Sequence, residues 1–201
     1  MGKIFYIAGK SSSGKDTIYR RLLEEGVEQT PLFTAVPYTT RPMRDKEQNG
    51  REYFFTDEAG LDRLRRQGKV IEERKYMTWH GPWYYFTADD GQIDLRDRTY
   101  LMIGTLESFR AVRDYFGAER VRPVYIELDD GERLQRALNR ERAQEQPRFE
   151  EMCRRFLADA EDFSEEKIRE AGIDRRFYNG ELEECLKRIK AYILDETKRR
   201  A

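Results

Sequence analysis

After Met1-Gly2 the chain runs Lys3-Ile4-Phe5-Tyr6-Ile7-Ala8-Gly9-Lys10-Ser11-Ser12-Ser13-Gly14-Lys15-Asp16-Thr17, and its architecture follows from that run. Residues 3–8 are an apolar stretch of strand length. Gly9 to Gly14 interrupt it with small residues. From Asp16 to Glu25 the apolar side chains recur at helical spacing, with Ile18, Leu22 and Leu23 on one face. A strand, a Gly/Ser loop and a helix form the setting in which Gly9-x-x-x-x-Gly14-Lys15 acts as a phosphate-binding loop (P-loop). The glycines let the backbone curl so that successive N–H groups point inward at phosphate oxygens, and the helix adds its positive end. Lys15 is expected to bridge the outer phosphates as a mobile charge. The residue after this lysine is usually Ser or Thr, a Mg²⁺ ligand; here it is Asp16, followed by Thr17. A carboxylate is a competent ligand for Mg²⁺, and it also suits the first turn of a helix with no metal at all. Both readings of Asp16 stand.

Outward from the loop, strands alternate with helices. Strands are expected at 33–36, 53–55, 69–77, 84–87, 99–103, 121–128 and 176–179. Helices are expected at 57–67 (capped by Thr56), 106–116, 132–142, 149–169 and 182–194, with Met152, Phe156 and Phe163 inward on the long one. Alternation at both ends of the chain predicts a parallel sheet covered on both faces. Residues 37–90 break the pattern with hairpin-like turns, including Trp79-His80-Gly81-Pro82-Trp83, and read as an insertion over the sheet's carboxyl edge.

Composition narrows the class. The chain has 201 residues, enough for one domain. Lys and Arg number 38 against 39 Asp and Glu, a balance that argues against a dedicated nucleic-acid binder or a polybasic membrane anchor. No apolar stretch approaches a membrane span, and no leader pattern is read at the start, so a cytoplasmic location is expected. Cys153 and Cys185 form no disulfide framework or zinc-ligand spacing; each is expected as a small core residue. No protein partner is implied.

The second informative stretch is Tyr38-Thr39-Thr40-Arg41-Pro42-Met43-Arg44, continuing through Glu47 and Gly50 to Tyr53-Phe54-Phe55. Two arginines three apart on a Pro-containing loop can converge on the compact dianion of a nucleoside monophosphate with forked hydrogen bonds. Tyr53 can add a neutral hydroxyl donor.

Here the sequence resembles the guanylate kinases, on Thr39, Thr40, Arg41, Arg44, Glu47, Gly50, Tyr53 and Phe55 together with the P-loop. The resemblance spans most of the chain. It implies an α/β fold: a P-loop NTPase core with a five-stranded parallel sheet, a strand-rich nucleoside-monophosphate insert and a helical lid. On this chain the core would be 1–36, 98–135 and 156–201, the insert 37–97 and the lid 136–155. It implies transfer of the γ-phosphoryl group of MgATP to GMP, giving ADP and GDP. ATP would lie on Gly9, Lys10, Ser11, Ser12, Ser13, Gly14, Lys15, Asp16 and Thr17, with Asn179 near the adenine. GMP would meet Arg41, Arg44, Tyr53, Glu72, Tyr85 and Thr87, with Glu72 reading the base and Glu73 as the register alternative. Lys15, Arg136, Arg140 and Arg155 would carry the transferring charge, and Asp16 would meet Mg²⁺. His80 is expected as a turn residue.

Two departures bear on base choice. A serine ahead of Thr39-Thr40-Arg41 in the family becomes Pro37 or Tyr38. The family's two carboxylates at the end of the third core strand become Met102 and Gly104. They keep open a kinase of this fold with another phosphorylated acceptor. A non-catalytic interaction module is the remaining alternative, disfavoured by the intact Gly14-Lys15.

Overall fold

The computed structural model describes residues 2–28, 30–45, 47–78 and 81–199. The apolar run after Lys3 is β1 (Ile4–Ala8), wholly buried. Its side chains alternate between two cores: Ile4, Tyr6 and Ala8 enter one, Phe5 and Ile7 the other. Burying each large side chain contributes roughly 1.5–3 kcal/mol, which makes this strand the centre of the domain. β7 (Thr99–Ile103) and β8 (Val121–Glu127) flank it, with β2 (Leu32–Phe33) and β9 (Arg176–Tyr178) at the edges. All the pairings are parallel. α1 (Lys15–Glu25) and α7 (Leu182–Lys198) cover one face; α3 (Leu106–Phe116) and α6 (Glu165–Glu170) cover the other. The chain fills one side of β1 before the other, so a crevice opens at the carboxyl end of β1, where the P-loop begins.

The insertion forms a second sheet, ordered β4-β3-β6-β5, from β3 (Tyr38–Thr39), β4 (Phe54–Phe55), β5 (Val70–Thr78) and β6 (Gly81–Ala88). α2 (Glu58–Arg66) packs on it through the buried Leu61. A bulge between Val70 and Glu72 resets the register of β5, so that Glu72 faces Thr87 and Glu73 faces Phe86. α4 (Asp130–Arg142) and α5 (Phe149–Asp162) bracket residues 143–148, the middle of the segment expected as a lid.

Several local expectations need correction. The long helix expected at 149–169 is two helices: Phe163 turns into the core and Ser164 caps α6 by accepting from the Lys167 N–H. Cys153 is exposed rather than in the core, because Met152 takes the inward position of that turn; Cys185 is buried as expected. Asp57, not Thr56, caps α2. Gly81, Pro82 and Trp83 belong to β6, paired to Thr78, Met77 and Tyr76; Trp79 and His80 lie outside the described residues. β2 is shorter than expected and starts earlier, and α7 continues past Leu194 to Lys198.

One ion-pair network ties α4 and α5 to the P-loop. Arg133, almost fully buried, donates from Nε to the Ser11 carbonyl at 2.9 Å and from Nη2 to Asp159 at 2.7 Å. Asp159 in turn accepts from the Ser11 N–H at 2.8 Å. Asp130 pairs with Arg133 and, at 3.4 Å, with Lys10. Removing one partner of a buried pair leaves the other charge uncompensated. Asp159→Ala is therefore expected to destabilise the fold by about 3 kcal/mol, at the lower end of the range because Arg133 keeps Asp130. Chemical denaturation of the variant and its parent checks this.

Candidate active site

The P-loop is curled and held from behind. Ser12 has φ 63° and Gly14 φ 90°, both left-handed. A Cβ at Gly14 would lie 2.2 Å from Asn179 Nδ2, so only glycine fits. Asn179 is buried, donates from Nδ2 to the Ser13 carbonyl at 2.7 Å, and ties its own N–H to Glu127 of β8 at 2.8 Å. It grips the back of the loop. With Ser13 held by Asn179 and Ser11 by Asp159, the front of the loop needs no partner from the protein. α1, which starts there, has no side-chain cap; α5 and α7 also lack one, while α2, α3, α4 and α6 each have one. The Ser12 and Ser13 hydroxyls are buried without a hydrogen-bond partner among the described residues. Uncapped N–H groups and unsatisfied hydroxyls in one loop form an anion site. Lys15 and Asp16 stand at its mouth, 3.4 Å apart, with the Asp16 side chain 84% exposed.

A cleft of 1410 Å³ runs from this loop to the second sheet. Gly9, Ser11, Lys15 and Asp16 line one end; Tyr53, Glu72, Arg74 and Thr87 line the other. Glu72 is buried and holds three kinds of donor: Thr87 Oγ1 at 2.9 Å, Ser108 Oγ at 3.0 Å and Arg74 Nε at 3.1 Å. The Ser108 bond joins the insertion to α3 and so fixes the width of the cleft. Glu73 also lines the cleft but pairs with Arg65 of α2 through both oxygens. Burial and the neighbouring Glu72 carboxylate push the Tyr6 hydroxyl well above the ordinary phenol range. A Cβ at Gly104 would lie 2.2 Å from that hydroxyl, so Tyr6 occupies the room of any larger side chain there.

Below Glu72, Arg41 is buried and forms a fork to Glu47, Nη1 to Oε2 at 2.8 Å and Nη2 to Oε1 at 2.7 Å. Its Nε is buried and has no hydrogen-bond partner among the described residues, and its guanidinium lies 5.5 Å from the ring centroid of Tyr53. Tyr85 packs edge-on against Tyr53 at 5.7 Å. Arg41, with the Arg44 backbone N–H, holds the Glu47 carboxyl down at about 2. Arg44 itself is exposed on the loop.

The remaining arginines are more scattered. Arg136 donates to the Asn179 carbonyl at 3.1 Å, and its Nη1 would be 3.7 Å from a Cβ at Gly14, so it sits beside the P-loop. Arg140 and Arg155 are exposed beside Glu141 and Glu151 and do not line the cleft. Five participants are not legible in the sequence as site residues. Arg133 was visible only as one of many arginines, and Asp159, Ser108 and Tyr6 gave no local signal. Arg74 was overshadowed by the two glutamates before it.

Comparison with known proteins bears on the fold and the family. The guanylate kinase family model aligns with residues 1–196. A guanylate kinase of Porphyromonas gingivalis is 25% identical over 196 residues, covering 96% of this chain and 97% of its own length. One of Oleidesulfovibrio alaskensis is 40% identical over 90 residues, and one of Nitrosomonas europaea 34% over 84. Those two matches cover 44% and 42% of this chain and span only 40% and 39% of the relatives' own lengths. The crystal structure of guanylate kinase from Anaplasma phagocytophilum superposes with a TM-score of 0.63 at 22% identity, covering 97% of this chain and 86% of that one. With the fold, the P-loop and a family match over nearly its whole length, the chain belongs to the guanylate kinase family.

Proposed function

We propose that this chain transfers the γ-phosphoryl group of ATP to GMP, giving ADP and GDP. The observation that carries the reading is that an open phosphate loop with Lys15 and a buried, hydrogen-bonded carboxylate at Glu72 face one cleft from opposite ends. A triphosphate belongs at the first and a base bearing N–H donors at the second. Such a transfer needs positioning and charge compensation rather than a covalent intermediate. In this reading the P-loop amides and Lys15 hold the β- and γ-phosphates, with Arg136 beside them. Arg140 and Arg155 are the cations that meet the triphosphate when residues 136–155 close. Arg41, Arg44, Tyr53 and Tyr85 receive the acceptor phosphate; of these Tyr53 lines the cleft, and Arg41 lies buried behind it. Glu72 and Thr87 receive the base.

Mg²⁺ fits the residues present. No group of three or more metal-ligating side chains occurs among the described residues. Mg²⁺ takes phosphate oxygens and water with only one or two carboxylates. Asp16, exposed at the mouth of the loop, is the carboxylate that would hold it. The ion would neutralise charge on the β- and γ-phosphates. No helix of the described residues is long and apolar enough to cross a membrane.

A coupled assay of ADP release over a panel of nucleoside monophosphates tests the reading; GMP is expected to give the highest kcat/KM. Lys15→Ala is expected to abolish detectable transfer while leaving the unfolding midpoint near that of the parent, since Lys15 is not a core residue. Asp16→Asn is expected to raise the free Mg²⁺ needed for half-maximal rate, read by titrating initial rates at fixed total ATP. Acid sensitivity tests the Arg41 clamp. The Glu47 carboxyl titrates lower in the folded chain than in the unfolded one, so its contribution is complete above about pH 5 and fades as pH falls towards 2. The stability gap between the parent and Glu47→Gln is therefore expected to be constant from pH 7 to 5 and to shrink below, measured by urea unfolding at each pH.

A further inference from the structure

We infer that Arg74 is a base-reading residue of the acceptor site, one that demands a 6-oxo group on the purine. The inference rests on the reading of this cleft as a GMP site. Arg74 lines the cleft next to Glu72, with its side chain 22% exposed. It gives Nε to Glu72 Oε2 at 3.1 Å and Nη2 to Oε1 at 3.5 Å. Its Nη1 has no hydrogen-bond partner among the described residues. The pair therefore sets a strong acceptor beside a strong donor on one wall of the pocket.

The 6-oxo edge of guanine carries the complementary pattern: N1–H is a donor and O6, beside it, an acceptor. Adenine reverses both, with N1 an acceptor and the 6-amino group a donor. A carboxylate alone rewards the N–H groups of guanine; only the added guanidinium makes O6 worth having. Arg is suited to this because its planar fork matches oxygen and ring-nitrogen acceptors on a guanine edge.

The surroundings make the same demand from the other side. An ionised carboxylate has about four lone-pair positions. Thr87, Ser108 and the two Arg74 contacts occupy those of Glu72. For Glu72 to accept from a base one of these donors yields its contact; where it is Arg74, whose contacts at 3.1 and 3.5 Å are the longest, a partly buried guanidinium needs another acceptor. O6, adjacent to the N–H that displaced it, is that acceptor. On the facing loop Pro37 lines the cleft without a side-chain donor, and Thr34 is the one hydroxyl of residues 34–37 on that wall. At the end of β7 Met102 is apolar, and the polar group beside Gly104 is the Tyr6 hydroxyl.

The test compares kcat/KM for GMP, IMP, AMP and 6-thio-GMP in the parent, Arg74→Met and Arg74→Lys, with ATP saturating and folding checked by thermal unfolding. GMP and IMP share N1–H and O6 and differ in the 2-amino group, which belongs to Glu72. Arg74→Met is expected to lower kcat/KM for GMP and IMP by the same factor, about 10- to 100-fold, while AMP is unchanged or improves. Arg74→Lys is expected to recover only part of the loss. The sulfur of 6-thio-GMP is a poor acceptor, so the parent is expected to use it about tenfold less well than GMP, and Arg74→Met to use the two equally. Unchanged GMP kinetics in Arg74→Met would overturn the inference. So would a collapse of the GMP-to-IMP ratio with the GMP-to-AMP ratio kept, which would make Arg74 only a support for Glu72. Should neither variant fold, equal use of GMP and 6-thio-GMP by the parent overturns it on its own. A parent chain inactive on GMP and IMP overturns the acceptor reading and this inference with it, and is distinguished by needing no variant.

Discussion

A loop that must offer its N–H groups to a phosphate can use few of them to hold itself together; here the Ser13 N–H goes to the Lys10 carbonyl at 3.2 Å. Everything around residues 9–15 answers that constraint. β1 anchors one end in the middle of two apolar cores. Asn179 grips the Ser13 carbonyl from β9's end, and Arg133 grips the Ser11 carbonyl from α4. Asp159 takes the one N–H at Ser11 that faces α5. The restraints fall mainly on carbonyls, which leaves the uncapped start of α1 open towards the cleft. The same network links the P-loop to both helices that bracket 143–148. A closing motion of that segment would thus be felt at the loop.

The acceptor end is organised around a different economy of charge. Two carboxylates, Glu72 and Glu47, are each held by an arginine two or six residues away, Arg74 and Arg41. At Glu47 the arginine forms a fork with both oxygens, which keeps Arg41 extended with Nε still unpaired. At Glu72 the arginine shares the carboxylate with two hydroxyls and remains on the cleft wall. The first arrangement suits holding a guanidinium in place for an anion. The second suits exchange of partners when a base arrives.

The Tyr6 hydroxyl explains how the end of β7 can lack carboxylates without leaving a void. In register, Tyr6 pairs with Met102, and its ring reaches the space beside Gly104. A strand residue from the centre of the core thereby fills what a longer side chain on the neighbouring strand would have taken, and it brings a hydroxyl to the Ser108–Glu72 side of the pocket.

Contiguous sequence by itself determined the P-loop, the alternation that predicts a covered parallel sheet, and the arginine-tyrosine stretch of the acceptor loop. These are local patterns: spacing sets which backbone groups curl inward and which side chains share a face. By resemblance Glu72 is preferred, with Glu73 as the register alternative; in the structure the bulge at 70–72 pairs Glu72 with Thr87 and Glu73 with Phe86. Tertiary structure alone decided the rest. Asp159 lies far along the chain from Ser11, and no periodicity signals that its carboxylate meets a backbone N–H there. The break of the long helix at Phe163 depends on a core space that exists only once α6 packs against the sheet. Cys153 is outside because one neighbouring side chain, Met152, already fills the contact. Arg74 reads locally as one more charge on a half-exposed strand. Its place beside the cleft comes from Glu72, which it shares with Ser108 and Thr87 from other elements.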